Sequence, residues 1–394
     1  MMTDMKNAVV YGSGKIGRGF IGKIFAESGY RVCFLDRIQA LVDGLNAAGS
    51  YRVRIVSNDD AVESVVPVHR ALISTTGEAL EALASCDLMA TAVGVNELKN
   101  IAPVLAKAVG LRMARNGGPL DVILCENQLG ADALMRGWID EHLDGEQRAW
   151  ADQNLGLVEA SISRMVPPLT PEQLAEDPLL VRVDPSSELP VDSAAFRGEI
   201  PALNGIIPYT PFEFYMTRKL FLNNGSHALC AYLGYEKGCT YIWQAIEDPE
   251  IRAAARASMQ ANADALVAKY GEGVRQNVQD YIEDLLARFP NRALNDTVAR
   301  VGADPLRKLR RNDRIVGAAL FALEQGVDPA PIVKGIVAAL HFDQPGDPTA
   351  PVLQKALKEH GIDYVMENYM GLAPGEPLWE MIRKEYNLPQ ATDH

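Results

Sequence analysis

Within RKLFLNNGSHALCAYLG, which begins at Arg218, three side chains have the chemistry to act on an alcohol or a carbonyl: Lys219, Asn224 and His227. On an α-helix, at about 100° per residue, His227 falls roughly 80° and Asn224 roughly 140° from Lys219, so all three share one side. A substrate oxygen above that face could meet an ammonium, an amide and an imidazole together. Oxidising an alcohol with a nicotinamide needs a base for the hydroxyl proton, donors for the developing alkoxide and a hydride acceptor. A lysine desolvated in such a pocket has its pKa lowered enough to be that base. The apolar flanks, among them Leu220, Phe221, Leu222, Ala228 and Leu229, mark a core helix. Its centre, Asn223 to His227, is made of poor helix formers whose polar groups need partners when buried. The competing reading has Lys219 solvated and Asn224 and His227 satisfying nearby backbone.

A second constellation stands at the start of the chain. YGSGKIGRGF carries Gly12-x-Gly14-x-x-Gly17 directly after the strand-like NAVVYG. In a dinucleotide-binding turn, Gly12 makes the sharp bend, Gly14 lets backbone approach a pyrophosphate and Gly17 lets helix pack on strand. The diphosphate then rests on a helix N-terminus, which favours anions. Asp36 ends the next strand candidate, YRVCFLD, nineteen residues after Gly17, where a carboxylate holds the ribose hydroxyls and repels a 2′-phosphate. The cofactor candidates are therefore Gly12, Ser13, Gly14, Lys15, Ile16, Gly17 and Asp36, with Val93 and Gly94 at the end of DLMATAVG. The cofactor expected is NAD; Arg37, beside Asp36, leaves NADP open. No Gly-Lys-[Ser/Thr] of a P-loop is present.

DPLRKLRRNDR is a basic island in a chain of formal net charge −13. Arg307, Arg311 and Arg314 recur at i, i+4 and i+7, so one helical face would present three guanidinium groups, suited to a phosphate. Ion pairs with Asp304 and Asp313 are the alternative. Arg164, in SRMVPP, is a weaker candidate for substrate contact.

These residues must be carried by a scaffold. At 394 residues the chain is too long for one ordinary core. Its first part alternates strand-like and helix-like stretches (NAVVYG, YRVCFLD, DLMATAVG, DVILCEN), which predicts a mostly parallel, doubly wound sheet. Short strands are also expected at LVEASIS and LVRVD. Nine of the 23 prolines fall between Pro167 and Pro211, marking a loop-rich middle. Beyond it, PEIRAAARASMQANADALVAKYG, GVRQNVQDYIEDLLARF, DPLRKLRRNDRIVGAALFALEQG and PAPIVKGIVAALHF show helical periodicity. The expectation is an NAD-binding α/β domain over 1–200 and a mainly α-helical substrate and catalytic domain over 201–394.

The acidic balance argues against nucleic acid, which needs a basic face. No apolar run reaches membrane-spanning length, and MMTDMKN lacks the features of a secretory signal. The five cysteines are scattered without a CxxC pair, and the six histidines have no zinc spacing. A cytoplasmic protein with reduced thiols and no metal centre is expected, a monomer or at most a weak homo-oligomer.

The chain resembles the polyol-specific long-chain dehydrogenase/reductase family. Lys219, Asn224 and His227 match that family's Lys-x4-Asn-x2-His motif. VVYGSGKIGRGFIG, TAVGVNELKNIAP, LCENQLGA, SRMVPP and DPLRKLRRNDRIVGAA resemble further family blocks, so the resemblance spans almost the whole chain. It implies metal-independent catalysis with Lys219 as general base or acid and His227 orienting substrate or lysine. It also implies an oxyanion hole of Asn224 with Asn127. The length suits the sugar-phosphate branch, with D-mannitol 1-phosphate and D-fructose 6-phosphate as the expected pair. An unphosphorylated polyol or an aldonate is the alternative within the family; an NAD-binding protein without turnover is the alternative outside it. Where some members carry a glutamate three residues before the lysine, this chain has Met216, so the proton route would use another group, such as Glu213, or water.

Overall fold

The computed structural model describes residues 5–58, 60–128, 130–167 and 169–388. Residues 1–4 of the MMTDMKN start, Leu129 in LCENQLGA and Pro168 in SRMVPP lie outside them. The chain divides into two compact units, Met1–Tyr215 and Met216–His394.

The first unit is built on β1 (Asn7–Tyr11), β2 (Arg31–Asp36), β3 (Ser50–Val56), β4 (Ala61–Pro67), β5 (Arg70–Ile73), β6 (Leu88–Thr91), β7 (Leu120–Leu124), β8 (Leu155–Glu159), β9 (Val181–Val183), β10 (Leu189–Asp192) and β11 (Ile206–Tyr209). Six of these form a sheet in the order β5-β2-β1-β6-β7-β8, every pair parallel. This is the doubly wound order, in which ligands bind where strand order reverses beside the first strand. Both faces are covered, which is why the strands read as continuous apolar runs. Along β1, Ala8 and Val10 enter one core layer while Val9 and Tyr11 enter the other.

The strands expected around LVEASIS and LVRVD are present as β8 and β9. The β3–β4 hairpin was not foreseen; β9 pairs parallel with β3 to give a second, three-stranded sheet. The division after Tyr215 lies beyond position 200 because the proline-rich stretch does not close the first unit. Inside it β10 and β11 pair in parallel, Leu189 with Ile206 through Asp192 with Tyr209.

The second unit is helical. Ser226–Glu236 is one of its central helices, with Tyr232 fully buried and its hydroxyl donating to the Gly302 carbonyl at 3.0 Å. Pro249–Tyr270, Arg275–Arg288 and Ala330–Leu340 stand where periodicity put them. The fourth expected helix is broken. One short helix, Pro305–Lys308, is followed by turns, and a second helix, Val316–Glu324, begins after them. The cause is local: the Asp313 carboxylate accepts the Arg314 backbone N–H at 2.6 Å, and such side-chain bonds compete with the helical ladder.

Candidate active site

Each unit carries one constellation. In the first, the chain leaves β1 at Gly12, whose φ is +101° and whose N–H donates to the Leu35 carbonyl at 2.8 Å. A Cβ at Gly12 would lie 2.5 Å from the Ala92 carbonyl oxygen, and one at Gly17 would lie 1.9 Å from the Gly12 carbonyl oxygen. A Cβ at Gly14 would meet nothing within 4 Å. Two glycines are thus required by neighbouring backbone, while the third leaves open space on the first turn of a helix. That is the division of labour a pyrophosphate needs. Lys15 is exposed on this turn, and Ile16 is half-buried.

Asp36, at the end of β2, closes over the turn. Its Oδ2 accepts the Ser13 hydroxyl at 2.6 Å and the Ser13 N–H at 2.8 Å, and its Oδ1 accepts the Ile38 N–H at 3.0 Å. Arg37 faces Glu97 at 3.3 Å. Val93 and Gly94 follow β6, Val93 standing against Gly12, and the Val93 N–H donates to Glu126 Oε1 at 2.9 Å. Glu126 also accepts the Thr91 hydroxyl at 2.5 Å; burial pushes its pKa up, against these hydrogen bonds. Asn127, the next residue, is exposed. These residues fit an NAD molecule: open backbone for a diphosphate, and a fixed carboxylate for a ribose.

In the second unit, Lys219–Gly225 winds as a π-helix between the helices Glu213–Arg218 and Ser226–Glu236. The α-helical angles assigned to Lys219 and Asn224 therefore do not hold. A turn closed by i→i+5 bonds winds less per residue, so Asn224, five positions on, lies nearer the azimuth of Lys219 than α-helical winding would put it. Gly225 is where the chain must be bare, since a Cβ there would stand 2.7 Å from the Arg314 carbonyl oxygen. Lys219 is buried, while Asn224 and His227 are half-buried. Burial, and secondarily the Arg314 charge, brings the Lys219 ammonium down from 10.5 to about 7. A lysine in that range can take a proton from an alcohol and return one to a ketone near neutrality.

His227 stacks on Phe289, ring centroids 4.9 Å apart, and its Nε2 lies 3.2 Å from Asp296 Oδ2.

The three arginines do not share a helical face. Arg307 is on the short helix, paired with Asp304 at 3.0 Å and Asp313 at 3.6 Å. Arg311 lies in the turn and binds Glu376 at 3.0 Å and the Gly371 carbonyl at 2.9 Å. Arg314 is paired with Asp313 at 2.8 Å and is the one whose charge bears on Lys219. Beside it Lys308 donates to the Ala303 carbonyl and is brought down to about 8 by burial and then by Arg314 and Arg307. Arg164 is buried in the first unit, with its guanidinium on the Asp184 carbonyl and over the Phe20 ring. That is a packing role.

Sequence reasoning missed Asp296, Glu126 and Arg18. Arg18 clamps the glycine turn by donating to the Ser13 carbonyl at 2.8 Å. Arg18 and Glu126 lie inside the blocks VVYGSGKIGRGFIG and LCENQLGA, which was their one signal; nothing in the spacing signalled Asp296. Among the described residues, no group of three or more His, Cys, Asp or Glu is gathered as a metal site, and no helix is long and apolar enough to cross a membrane.

The fold and the two constellations define an oxidoreductase of the polyol dehydrogenase class. Residues 6–205 match the mannitol dehydrogenase Rossmann domain and residues 212–387 the mannitol dehydrogenase C-terminal domain, so the chain belongs to the mannitol dehydrogenase family. It is 39% identical over 379 residues to a mannitol-1-phosphate 5-dehydrogenase of Brevibacillus brevis, covering 96% of this chain and 97% of that one. Among solved structures, it is similar to Pseudomonas fluorescens mannitol 2-dehydrogenase in ternary complex with NAD and D-mannitol. There the TM-score is 0.72 at 18% identity, over 97% of this chain and 91% of that one. A substrate-free D-sorbitol dehydrogenase matches with TM-score 0.80 at 15% identity, over 96% and 92%. At such identities the likeness is one of fold.

Proposed function

We propose that this enzyme interconverts D-mannitol 1-phosphate and D-fructose 6-phosphate with NAD as cofactor. The observation that carries the reading is Lys219, buried on a π-helical turn and brought to about 7. The name of the 39% identical relative supports the substrate. Bound NAD would supply the hydride acceptor, exchanging hydride with C5 of the polyol phosphate, which is C2 of the ketose. The glycine turn, Val93 and Gly94 would hold it, with Asp36 at the ribose.

The chain's own part is proton and charge management. Neutral Lys219 takes the hydroxyl proton in oxidation, and its ammonium returns one to the ketone oxygen in reduction. The oxyanion role proposed for Asn224 and Asn127 rests on the family resemblance: an amide N–H stabilises charge as it develops on oxygen. His227 orients the sugar. For the phosphate, the proposal narrows from three arginines to Arg314, because all three face carboxylates but Arg314 alone is largely buried and bears on Lys219, while Arg307 and Arg311 are far more exposed.

A kinetic panel tests the reading, with NADH and NADPH each offered fructose 6-phosphate, fructose, fructuronate and tagaturonate. The expected result is preference for NADH and a kcat/KM for fructose 6-phosphate about 100-fold above that for fructose, the worth of a charge-assisted phosphate contact. Higher kcat/KM on an unphosphorylated sugar would assign the enzyme to another branch of the family.

A further inference from the structure

Of the Lys219, Asn224 and His227 set, His227 has a neighbour that pins its ring chemically as well as sterically. Phe289 lies flat against the ring with an interplanar angle of 22°, and Asp296 Oδ2 takes the Nε2 side at 3.2 Å. What holds Asp296 is independent of His227. The chain turns into it through Asn295, at φ +49°, and the Asp296 carbonyl accepts the Ile242 N–H at 2.9 Å. One residue on, Thr297 bridges Tyr241, and the Val298 N–H donates to the Thr240 carbonyl at 2.9 Å. Its other carboxylate oxygen, Oδ1, receives Arg300 Nε at 2.7 Å and Nη2 at 2.5 Å. Burial opposes ionisation of this carboxyl, yet His227 and Arg300 hold it below the usual carboxylate range.

An ionised carboxylate can only accept, so the imidazole nitrogen facing it must carry the proton. In a neutral imidazole, protonating one nitrogen makes the other an acceptor. We propose that Asp296 is a positioning residue that holds His227 in its Nε2–H tautomer, leaving Nδ1 to accept a hydrogen bond from a hydroxyl of the sugar. This rests on the dehydrogenase reading. It adds a polarity: His227 selects a hydroxyl donor beside the reacting carbon, while Lys219 handles the reacting oxygen.

Asp296→Asn tests it sharply because Arg300 demands an acceptor. The amide must turn its oxygen to Arg300 and its NH2 to His227, where a donor would meet Nε2–H. The imidazole is then driven to the Nδ1–H tautomer, and Nδ1 no longer accepts. Nitrogen-15 spectra of the histidines, assigned with a His227→Gln variant, should show Nε2 protonated in the wild type and Nδ1 protonated in Asp296→Asn. They are taken in mildly alkaline buffer, where imidazoles are neutral. With it, kcat/KM for fructose 6-phosphate should fall about tenfold, mainly through KM, while the NADH dissociation constant stays unchanged. Adding Arg300→Ala frees the amide to present its oxygen to His227, and should restore both the Nε2–H signal and most of the sugar KM.

An unchanged tautomer in Asp296→Asn would overturn the proposal, as would a sugar defect that Arg300→Ala does not relieve. A lowered melting temperature with the wild-type tautomer would reduce Asp296 to a structural residue. The tautomer readout needs no turnover. A wild-type protein inactive on every ketose would therefore sink the dehydrogenase reading separately, whatever the spectra showed.

Discussion

Two stretches among the described residues wind as π-helix, Gly17–Gly22 in the first unit and Lys219–Gly225 in the second, and they use the same irregularity for opposite ends. All six residues of the first are buried. Its glycines are places where a Cβ has no room: 1.9 Å from the Gly12 oxygen at Gly17, 2.6 Å from Val181 Cγ1 at Gly19, and 2.5 Å from Phe34 Cζ at Gly22. The wide turn there lets a helix sit hard against the strands. In the second stretch only Gly225 has that role. The widened turn instead carries an amine and two amides, and brings Lys219 and Asn224 nearer to one side than an α-helix would. One turn is shaped by what must be absent, the other by what must be present.

The contrast predicts different losses. Removing the chemistry of the second turn has the largest effect: Lys219→Ala should lower turnover by about 10³-fold while sparing NADH binding. Its pH behaviour follows from the depressed pKa. In the proposed role, oxidation would need neutral Lys219, so its rate should rise with pH through about 7, and ketose reduction, which would need the ammonium, should fall over the same range. Steady-state profiles in both directions check this. A Lys219→Ala enzyme with near-normal turnover would remove the lysine from its role.

Filling the first turn should cost fold or binding, depending on which glycine is filled. Gly17→Ala puts a methyl group against backbone and should destabilise by about 1–3 kcal/mol, visible as a melting temperature several degrees lower. Gly14→Ala meets nothing, so its melting temperature should stay within about a degree, but the methyl would occupy the approach proposed for the diphosphate. Its NADH dissociation constant should rise about tenfold by calorimetric titration. If both variants behaved alike, the glycines would not divide between packing and binding.

Sequence could show both turns because each is a local pattern. Gly12, Gly14 and Gly17 with Asp36 are read along one strand–turn–helix–strand run, and Lys219, Asn224 and His227 along two helical turns. It could not show how the second turn is wound, since periodicity at 3.6 residues assumes the very geometry that Asn223, Asn224 and Gly225 disturb. It also extended a helix through Arg310 to Arg314, where the Asp313 side chain takes the backbone N–H that the helix needed. Asp296 was beyond reach for another reason. Its meeting with His227, across a sequence separation of 69, depends on the bridge between Tyr241 and Thr297.

The arginines give the finest test of how far the second turn's chemistry extends. The Arg314 carbonyl stands against Gly225 and its charge bears on Lys219, so Arg314→Ala should do two things at once. The KM for fructose 6-phosphate should rise about tenfold with that for NADH unchanged, from loss of the charge-assisted phosphate contact proposed for it. The pH limb of oxidation should also move upward, because a cation that disfavours the Lys219 ammonium has gone. Arg311, two turns of loop away in function though only three residues in sequence, is half-exposed and holds Glu376 and Gly371. Arg311→Ala should cost less than about 1 kcal/mol of stability and leave kinetics within about twofold, as exposed ion pairs do. Equal kinetic defects in the two variants would mean that the phosphate is bound by the basic island as a whole, and that the acidic partners of Arg311 exchange for substrate.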